Sequence, residues 1–243
     1  MKYLYLPLVL LLSINSVVAK EKRSVFDKPA KKEVVKFEDE AKLTCYHYPD
    51  FMVKELDNGQ KGALILSITP TSTQTKLPCE QETEGEVLVT DFAGQFEGAK
   101  GDYAFFKSAV SEDNISPFIV IDGQSGEKVF EDKQDVGHHI HAIKVLSDGF
   151  ALRYRKAFNS GCSLYKGKED CWETIVNGVE PAPISVPKCN KAYEQNLAAA
   201  EVDDKNEIAD LPTIISYDVE ATYNHGEVKF TALPGKASCW PAE

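Results

Sequence analysis

Residues 118–130 read FIVIDGQSGEKVF and carry the clearest structural signal in the sequence. An apolar run ends at Asp122, Gly123 and Gly126 follow, and a second short segment then returns toward Phe130. Glycine adopts the positive φ angles that tight turns between strands require. The pattern therefore predicts an antiparallel hairpin and favours a mainly β fold.

Short segments of this kind recur between residues 41 and 156. An apolar run at 63–68 follows the turn sequence at 57–59, and a last hairpin, near the end of the chain, has its turn at 224–226. Short strands separated by regularly spaced turn residues are typical of antiparallel sandwiches and barrels. Both architectures remain open at this point.

Helical patterns appear in the C-terminal third of the chain. Asp170 is followed three residues later by Glu173, which matches a capping box and predicts a helix that begins at Asp170. A second helix is predicted over residues 188–201, where Tyr193 and Leu197 share one side at helical spacing. We therefore expect two short helices beside the strands.

The N-terminus predicts a signal peptide over residues 1–19. Lys2 precedes an apolar run, and Val17 and Ala19 stand three and one residues before the expected cleavage point. The run is too short for a membrane span, which needs about 20 apolar residues. No later segment is apolar enough to cross a bilayer, so we expect no stable membrane insertion once the signal is removed.

The remaining chain is expected to divide into three parts. Residues 20–40 are rich in lysine and glutamate and predict a flexible charged arm. Residues 41–185 are expected to form the mainly β domain, and residues 186–243 a helix and a hairpin packed on that domain. This length suits one domain with a small addition.

The composition is that of a folded acidic protein, with 43% hydrophobic residues and a net charge of −11. Removal of Lys2 with the signal makes the charge one unit more negative. A chain this acidic repels phosphate groups, and the sequence shows no basic stripe that offsets the repulsion. We therefore expect no nucleic-acid partner.

Six cysteines lie beyond the predicted signal. An even number of cysteines behind a signal peptide predicts three disulfides and an oxidising compartment. Six cysteines allow fifteen pairings, and we predict that each cysteine pairs with its nearest neighbour in sequence. The predicted bonds are Cys45–Cys79, Cys162–Cys171 and Cys189–Cys239.

Three of the five histidines lie together at positions 138, 139 and 141. On a strand, His139 and His141 would share a face about 6.5 Å apart along the chain. That spacing suits Zn²⁺ or Cu²⁺, with His138, Asp135 or a neighbouring strand adding a ligand. Two other interpretations stay open, namely a histidine-rich surface without a ligand and a site that responds to pH near about 6.5.

Four segments carry a resemblance to a known family: CYHYPDFMVKE at 45–55, GDYAFF at 101–106, SGEKVFED at 125–132 and LPGKASCWP at 233–241. Together they resemble an uncharacterised family of bacterial exported proteins. The resemblance implies a periplasmic or secreted location. It implies no activity and assigns no role to the histidines.

The sequence contains no P-loop, no dinucleotide-binding GxGxxG and no GxSxG nucleophile elbow. We predict no catalytic and no cofactor-binding residues. The expectation is a periplasmic or secreted binding or envelope-accessory protein that acts on another protein or a small ligand without catalysis. The alternative is a transition-metal-binding protein that uses His138, His139 and His141. A hydrolase is a third hypothesis, because the absence of known motifs is only modest evidence against an enzyme.

Overall fold

The computed structural model describes residues 24–38, 40–71, 77–79, 83–200 and 205–242. The predicted signal peptide lies outside the described residues. The chain forms two antiparallel sheets, and the smaller of them has its strands in sequence order. This five-stranded sheet consists of β1 (Lys31–Lys36), β2 (Lys42–His47), β3 (Phe51–Asp57), β4 (Ile65–Pro70) and β5 (Val87–Leu88).

The larger sheet has nine strands, with β13, β12, β11, β9, β8, β7 and β6 in lateral order. Two further strands lie off this path, since β10 pairs with β11 and β14 pairs with β12. The strands are β6 (Gly94–Lys100), β7 (Tyr103–Ser108), β8 (Ile115–Asp122), β9 (Lys128–Asp135), β10 (Ala142–Leu146), β11 (Gly149–Asn159), β12 (Thr213–Asn224), β13 (Glu227–Ala232) and β14 (Ser238–Pro241). The predicted mainly β antiparallel fold is confirmed.

The two sheets pack face to face over part of their area. Phe51 and Ile68 of the smaller sheet share one buried apolar cluster with Phe106 of β7 and Ile119 of β8. Burying a side chain of this size contributes about 1.5–3 kcal/mol. The structure has two antiparallel sheets that share this apolar cluster, and the choice between sandwich and barrel stays a prediction.

The larger sheet bends sharply between β9 and β11. Gln134 and Lys156 form the one register pair that joins these two strands. The bend brings β7 over β11, so that the rings of Tyr103 and Phe150 lie 4.9 Å apart. The apolar space inside the bend is the second and larger core of the molecule.

Three helices follow β11: α1 (Lys168–Gly178), α2 (Asn190–Ala199) and α3 (Lys205–Asp210). Ile175 of α1 and Tyr193 of α2 are buried in the larger core beside strand residues. The predicted capping box is wrong, because α1 begins at Lys168 and no side chain caps its N-terminus. Asp170 lies inside the first turn, where its charge favours the positive end of the helix.

All three predicted disulfides are confirmed. The bonds join Cys45 to Cys79, Cys162 to Cys171 and Cys189 to Cys239. The first ties β2 to residues 77–79, and the last ties the N-terminus of α2 to β14. Among the described residues, no helix combines the length and the apolar character needed to cross a membrane.

The predicted flexible arm over 20–40 needs correction. Residues 31–36 form β1, which pairs along its whole length with β2. Val35 packs beside Leu43 against the cluster around the Cys45–Cys79 bond. The charged composition misled the prediction because an edge strand exposes much of its surface, and lysines are common there.

Candidate functional site

The connector from β9 to β10 contains the clustered histidines, and we call residues 136–141 the histidine connector. β9 and β10 lie along the same edge of β11, and the connector passes between them. The main-chain N–H of Val136 donates to the carbonyl of Asn114 at 3.0 Å, and that of His141 donates to Arg153 at 2.8 Å. The connector is therefore fixed to the sheet at both ends.

The predicted pairing of His139 with His141 on a strand is wrong, because β10 begins only at Ala142. The ring of His138 lies nearest that of His141 in the cluster, with 6.3 Å between their centroids. His139 is 83% exposed, and its Nδ1 atom lies 4.0 Å from Oε1 of Glu97. The structure therefore brings together a different pair of imidazoles from the one the spacing indicated.

Asp135 orients the first of these rings. Nδ1 of His138 lies 3.2 Å from Oδ2 of Asp135. The carboxylate also accepts hydrogen bonds from the Ser216 hydroxyl at 2.8 Å and from the N–H of Gly137 at 2.9 Å, and Nε of Arg155 lies 3.8 Å away. Because Nδ1 faces this fixed acceptor, Nε2 is the atom of His138 that is left for a ligand.

The histidine connector forms one wall of an open groove with a volume of about 810 Å³. The opposite wall is the N-terminal segment of the described chain, residues 24–27, which we call the strap. Residues 24–26 of the strap, Glu97 of β6 and residues 137–141 line the groove. Small-molecule sites typically occupy concave spaces of about 300–1,000 Å³.

The strap is anchored to β6 and to the core beneath it. The N–H of Asp27 donates to the carbonyl of Ala99 at 2.8 Å, and its carboxylate accepts from the N–H of Gly101 at 3.0 Å. The ring of Phe26 lies 5.5 Å from that of Phe105. The strap thus forms a fixed wall of the groove.

Among the described residues, Glu97 is the one acidic side chain that lines the groove. Its side chain is only 19% exposed. Burial raises the pKa of Glu97, and the nearby charges of Lys107 and His139 offset that effect only in part. A partly buried carboxyl with a raised pKa in a groove is a candidate for contact with a ligand.

The groove residues do not form a complete metal-ligand set. In the part of the chain that the structure describes, no group of three or more histidine, cysteine, aspartate or glutamate side chains is arranged to hold a metal ion. Zinc sites generally use three or four protein ligands. His138 and His141 therefore offer a two-ligand arrangement, with Asp135 as the group that orients one ring.

Two buried polar clusters were missed by sequence reasoning. On the smaller sheet, the carboxylate of Glu86 accepts hydrogen bonds from Lys54 Nζ at 2.7 Å and from the Ser67 hydroxyl at 2.5 Å. On the larger sheet, Asp132 accepts from Lys156 Nζ at 2.7 Å and from the Tyr154 hydroxyl. The partners lie far apart in sequence, so no local motif signals either cluster.

The chain matches no family model, no curated protein and no solved structure. The resemblance to exported bacterial proteins of unknown function therefore stays a prediction.

Proposed function

We propose that this protein is a periplasmic or secreted binding protein that holds a small ligand in the groove between the strap and the histidine connector. The observation that supports this proposal is the groove itself, an open space of about 810 Å³ between two anchored walls. Anchored walls favour binding because little conformational freedom is lost when the ligand enters.

Four further features support an extracytoplasmic binding role. The three disulfides are typical of an oxidising compartment. The predicted signal peptide and the family resemblance favour export to the periplasm or the medium. The buried clusters around Glu86 and Asp132 have their hydrogen bonds satisfied within the protein, which suits stabilisation better than catalysis.

A fragment screen by NMR tests the proposal. Chemical shifts of the mature, uniformly labelled protein are recorded with a library of small carboxylic acids, amines, imidazoles and aromatic alcohols. We expect the hits to shift amide signals of residues 24–27, Glu97 and the histidine connector. Replacement of Phe26 by alanine should weaken these hits, whereas Val228→Ala on β13 should not. Hits that cluster elsewhere, or an absence of hits, would contradict the proposal.

The second candidate function is transition-metal binding in the same groove. The specific observation that favours it is the contact of His138 Nδ1 with Asp135, since metal-ligating histidines usually direct their second nitrogen to a carboxylate or carbonyl. His141 would supply the second imidazole. Cu²⁺ and Zn²⁺ are the ions that imidazole ligands favour.

Calorimetric titration with Cu²⁺ and Zn²⁺ separates this candidate from the first. We expect one bound ion per chain, and loss of binding in both His138→Ala and His141→Ala. His225→Ala is the control because this residue lies in the β12–β13 turn, away from the cluster. Unchanged binding in His138→Ala would eliminate the site, and equal loss in His139→Ala would restore the pair that the sequence indicated.

A further inference from the structure

The first two strands of the smaller sheet and the segment before them carry a group of lysines on an otherwise acidic protein. The net charge of the chain is −11. All of these lysines are exposed, and none of them marks a recognisable motif in the sequence. They are Lys28, Lys31, Lys32, Lys36 and Lys42.

β1 is the terminal strand of its sheet, so one of its edges lacks a partner strand among the described residues. The N–H of Phe37 donates to the carbonyl of Ala41 at 2.9 Å, which makes these residues a hydrogen-bonded pair. Hydrogen-bonded and non-hydrogen-bonded pairs alternate along an antiparallel ladder. Lys32, Val34 and Lys36 therefore direct their main-chain N–H and C=O groups away from β2.

The same three residues share one face of β1, because side chains alternate along a strand. Val34 is 49% exposed between the two lysines, and Phe37 just beyond the strand is 46% exposed. This edge therefore presents lysine, valine and lysine side chains in a row, beside main-chain groups that pair with no other described strand.

At one end of the row, Lys36 and Lys42 flank the turn that contains Glu38 and Glu40. Lys36 lies directly opposite Lys42 in the ladder, and like charges in that arrangement destabilise a sheet. On the other face of β1, Glu33 is already occupied by Lys31 at 2.8 Å and by His47 at 2.7 Å. Neither Lys36 nor Lys42 forms an ion pair with a described carboxylate.

We propose that the free edge of β1 binds an acidic, extended segment of a partner protein by strand addition. The partner strand would pair its main chain with Lys32, Val34 and Lys36. It would place an apolar side chain beside Val34 and a carboxylate beside each lysine, which are favourable cross-strand pairs. The recognised pattern is therefore acid, any residue, apolar, any residue, acid.

A second copy of this chain is a poorer occupant. Pairing of β1 with another β1 would bring lysine rows together, and lysines on edge strands oppose that kind of association. This proposal uses residues of the smaller sheet and does not depend on the groove.

The test uses a fluorescent, end-blocked peptide with the core sequence glutamate, threonine, valine, threonine, glutamate. Fluorescence anisotropy follows its binding to the mature protein. We expect binding that weakens with added salt, because charge pairs contribute to it. In Lys32→Glu/Lys36→Glu the affinity should fall by at least about tenfold, which corresponds to about 1.4 kcal/mol. Lys191→Glu/Lys229→Glu, which changes the same number of charges elsewhere, should retain the affinity.

Val34→Pro tests the main-chain contact. This substitution removes an N–H that faces away from β2, and proline is tolerated on an edge in that orientation. We expect at least about a tenfold loss of affinity. Val228→Pro is the matched control. Val228 lies on the terminal strand β13. The turn is closed by the hydrogen-bonded pair Asn224 and Glu227, so the next pair, Tyr223 and Val228, is not hydrogen-bonded. The N–H of Val228 therefore also points away from the neighbouring strand.

A peptide methylated on its main-chain nitrogens provides the same test without changing the protein, and it should bind at least about tenfold more weakly. Unchanged affinity in Val34→Pro or for the methylated peptide would overturn strand addition. Equal binding of a scrambled peptide, or stronger binding to phosphatidylglycerol vesicles, would overturn recognition of an acidic strand. A dimer that forms through β1 in the absence of peptide would show that a second copy is the occupant.

Discussion

The hydroxyl of Ser216 on β12 donates to Oδ2 of Asp135 at the end of β9, across 2.8 Å. β11 lies between these two strands, so the bond spans the neighbouring strand and closes the sheet at its bend. Arg155 of β11 lies beside the same carboxylate. The bend and the histidine connector therefore depend on one buried acidic group.

Replacement of Asp135 by alanine should destabilise the protein by about 2 kcal/mol, because it removes the acceptor of the buried Ser216 hydroxyl and one of the carboxylates beside Arg155, while Asp218 keeps its contact with that guanidinium. The free energy of unfolding, from urea denaturation, measures this loss. Asp148→Ala is the control. Asp148 is exposed and only faces His225 at 3.5 Å, so its replacement should change stability by no more than about 0.5 kcal/mol. Equal effects of the two substitutions would contradict the role of Asp135.

The contacts of Glu86 predict that the protein loses stability in acidic solution. Burial alone raises the pKa of this carboxyl, but hydrogen bonds from Lys54, Ser67 and the N–H of Thr83 outweigh burial and lower the pKa below its ordinary value of 4.5. Because the folded pKa lies below the unfolded one, the stabilisation is present above about pH 4.5 and is lost as the pH falls through the folded pKa.

The variant Glu86→Gln should lose about 2 kcal/mol at neutral pH, since a neutral amide then replaces the carboxylate that lies 2.7 Å from the largely buried Lys54 ammonium. The stability difference between the wild type and Glu86→Gln should shrink as the pH falls below about 4.5. Urea denaturation at a series of pH values between neutrality and strong acid provides the measurement. A difference that stays constant with pH would show that the carboxylate charge does not contribute.

Removal of a single disulfide should lower the free energy of unfolding, and the loss should be larger for the bond that closes the longer loop. The separation is 9 residues for Cys162–Cys171 and 50 for Cys189–Cys239. The loop-entropy relation gives about 3 kcal/mol for the first and about 4 kcal/mol for the second. Thermal and urea unfolding of the two variants, each with one cysteine pair replaced by alanines, measures these two losses of stability. A larger loss for the short loop would indicate that local packing of α1, rather than loop length, dominates.

Gly149 begins β11 and lies opposite Asn224 of β12. A Cβ atom added there would lie 1.9 Å from the carbonyl oxygen of Tyr223, which belongs to the main chain and cannot rotate away. Gly149→Ala should therefore cost about 3 kcal/mol. Gly178→Ala is the matched control, because no atom lies within 4 Å of its added Cβ, and we expect a change within about 0.5 kcal/mol.

The hairpins were predictable because turn residues report local backbone geometry. Gly126 has the positive φ of 74° that its position after Asp122 indicated, and the strands on either side follow from it. The cysteine pairing was also predicted correctly, although sequence rules leave fifteen choices open. These features depend on short separations or on the order of residues along the chain.

The candidate site was only partly predictable. The sequence indicated that the histidines lie together, but it does not show that β10 starts after His141. β10 begins only at Ala142, after a connector in which Ile140 is buried while the imidazoles of His139 and His141 are exposed. Glu97 and the strap reach the groove through tertiary contacts, which no local pattern contains.

The nearest-neighbour disulfide pattern also determines the order in which the bonds can form. When the N-terminal end of the chain emerges first, Cys45 is the first cysteine to appear. The next one, Cys79, is its native partner. The same holds for Cys162 with Cys171 and for Cys189 with Cys239. Oxidation that keeps pace with emergence therefore yields the native bonds without any thiol–disulfide exchange. Such a chain needs an oxidant during biogenesis, but no isomerase to correct its crosslinks.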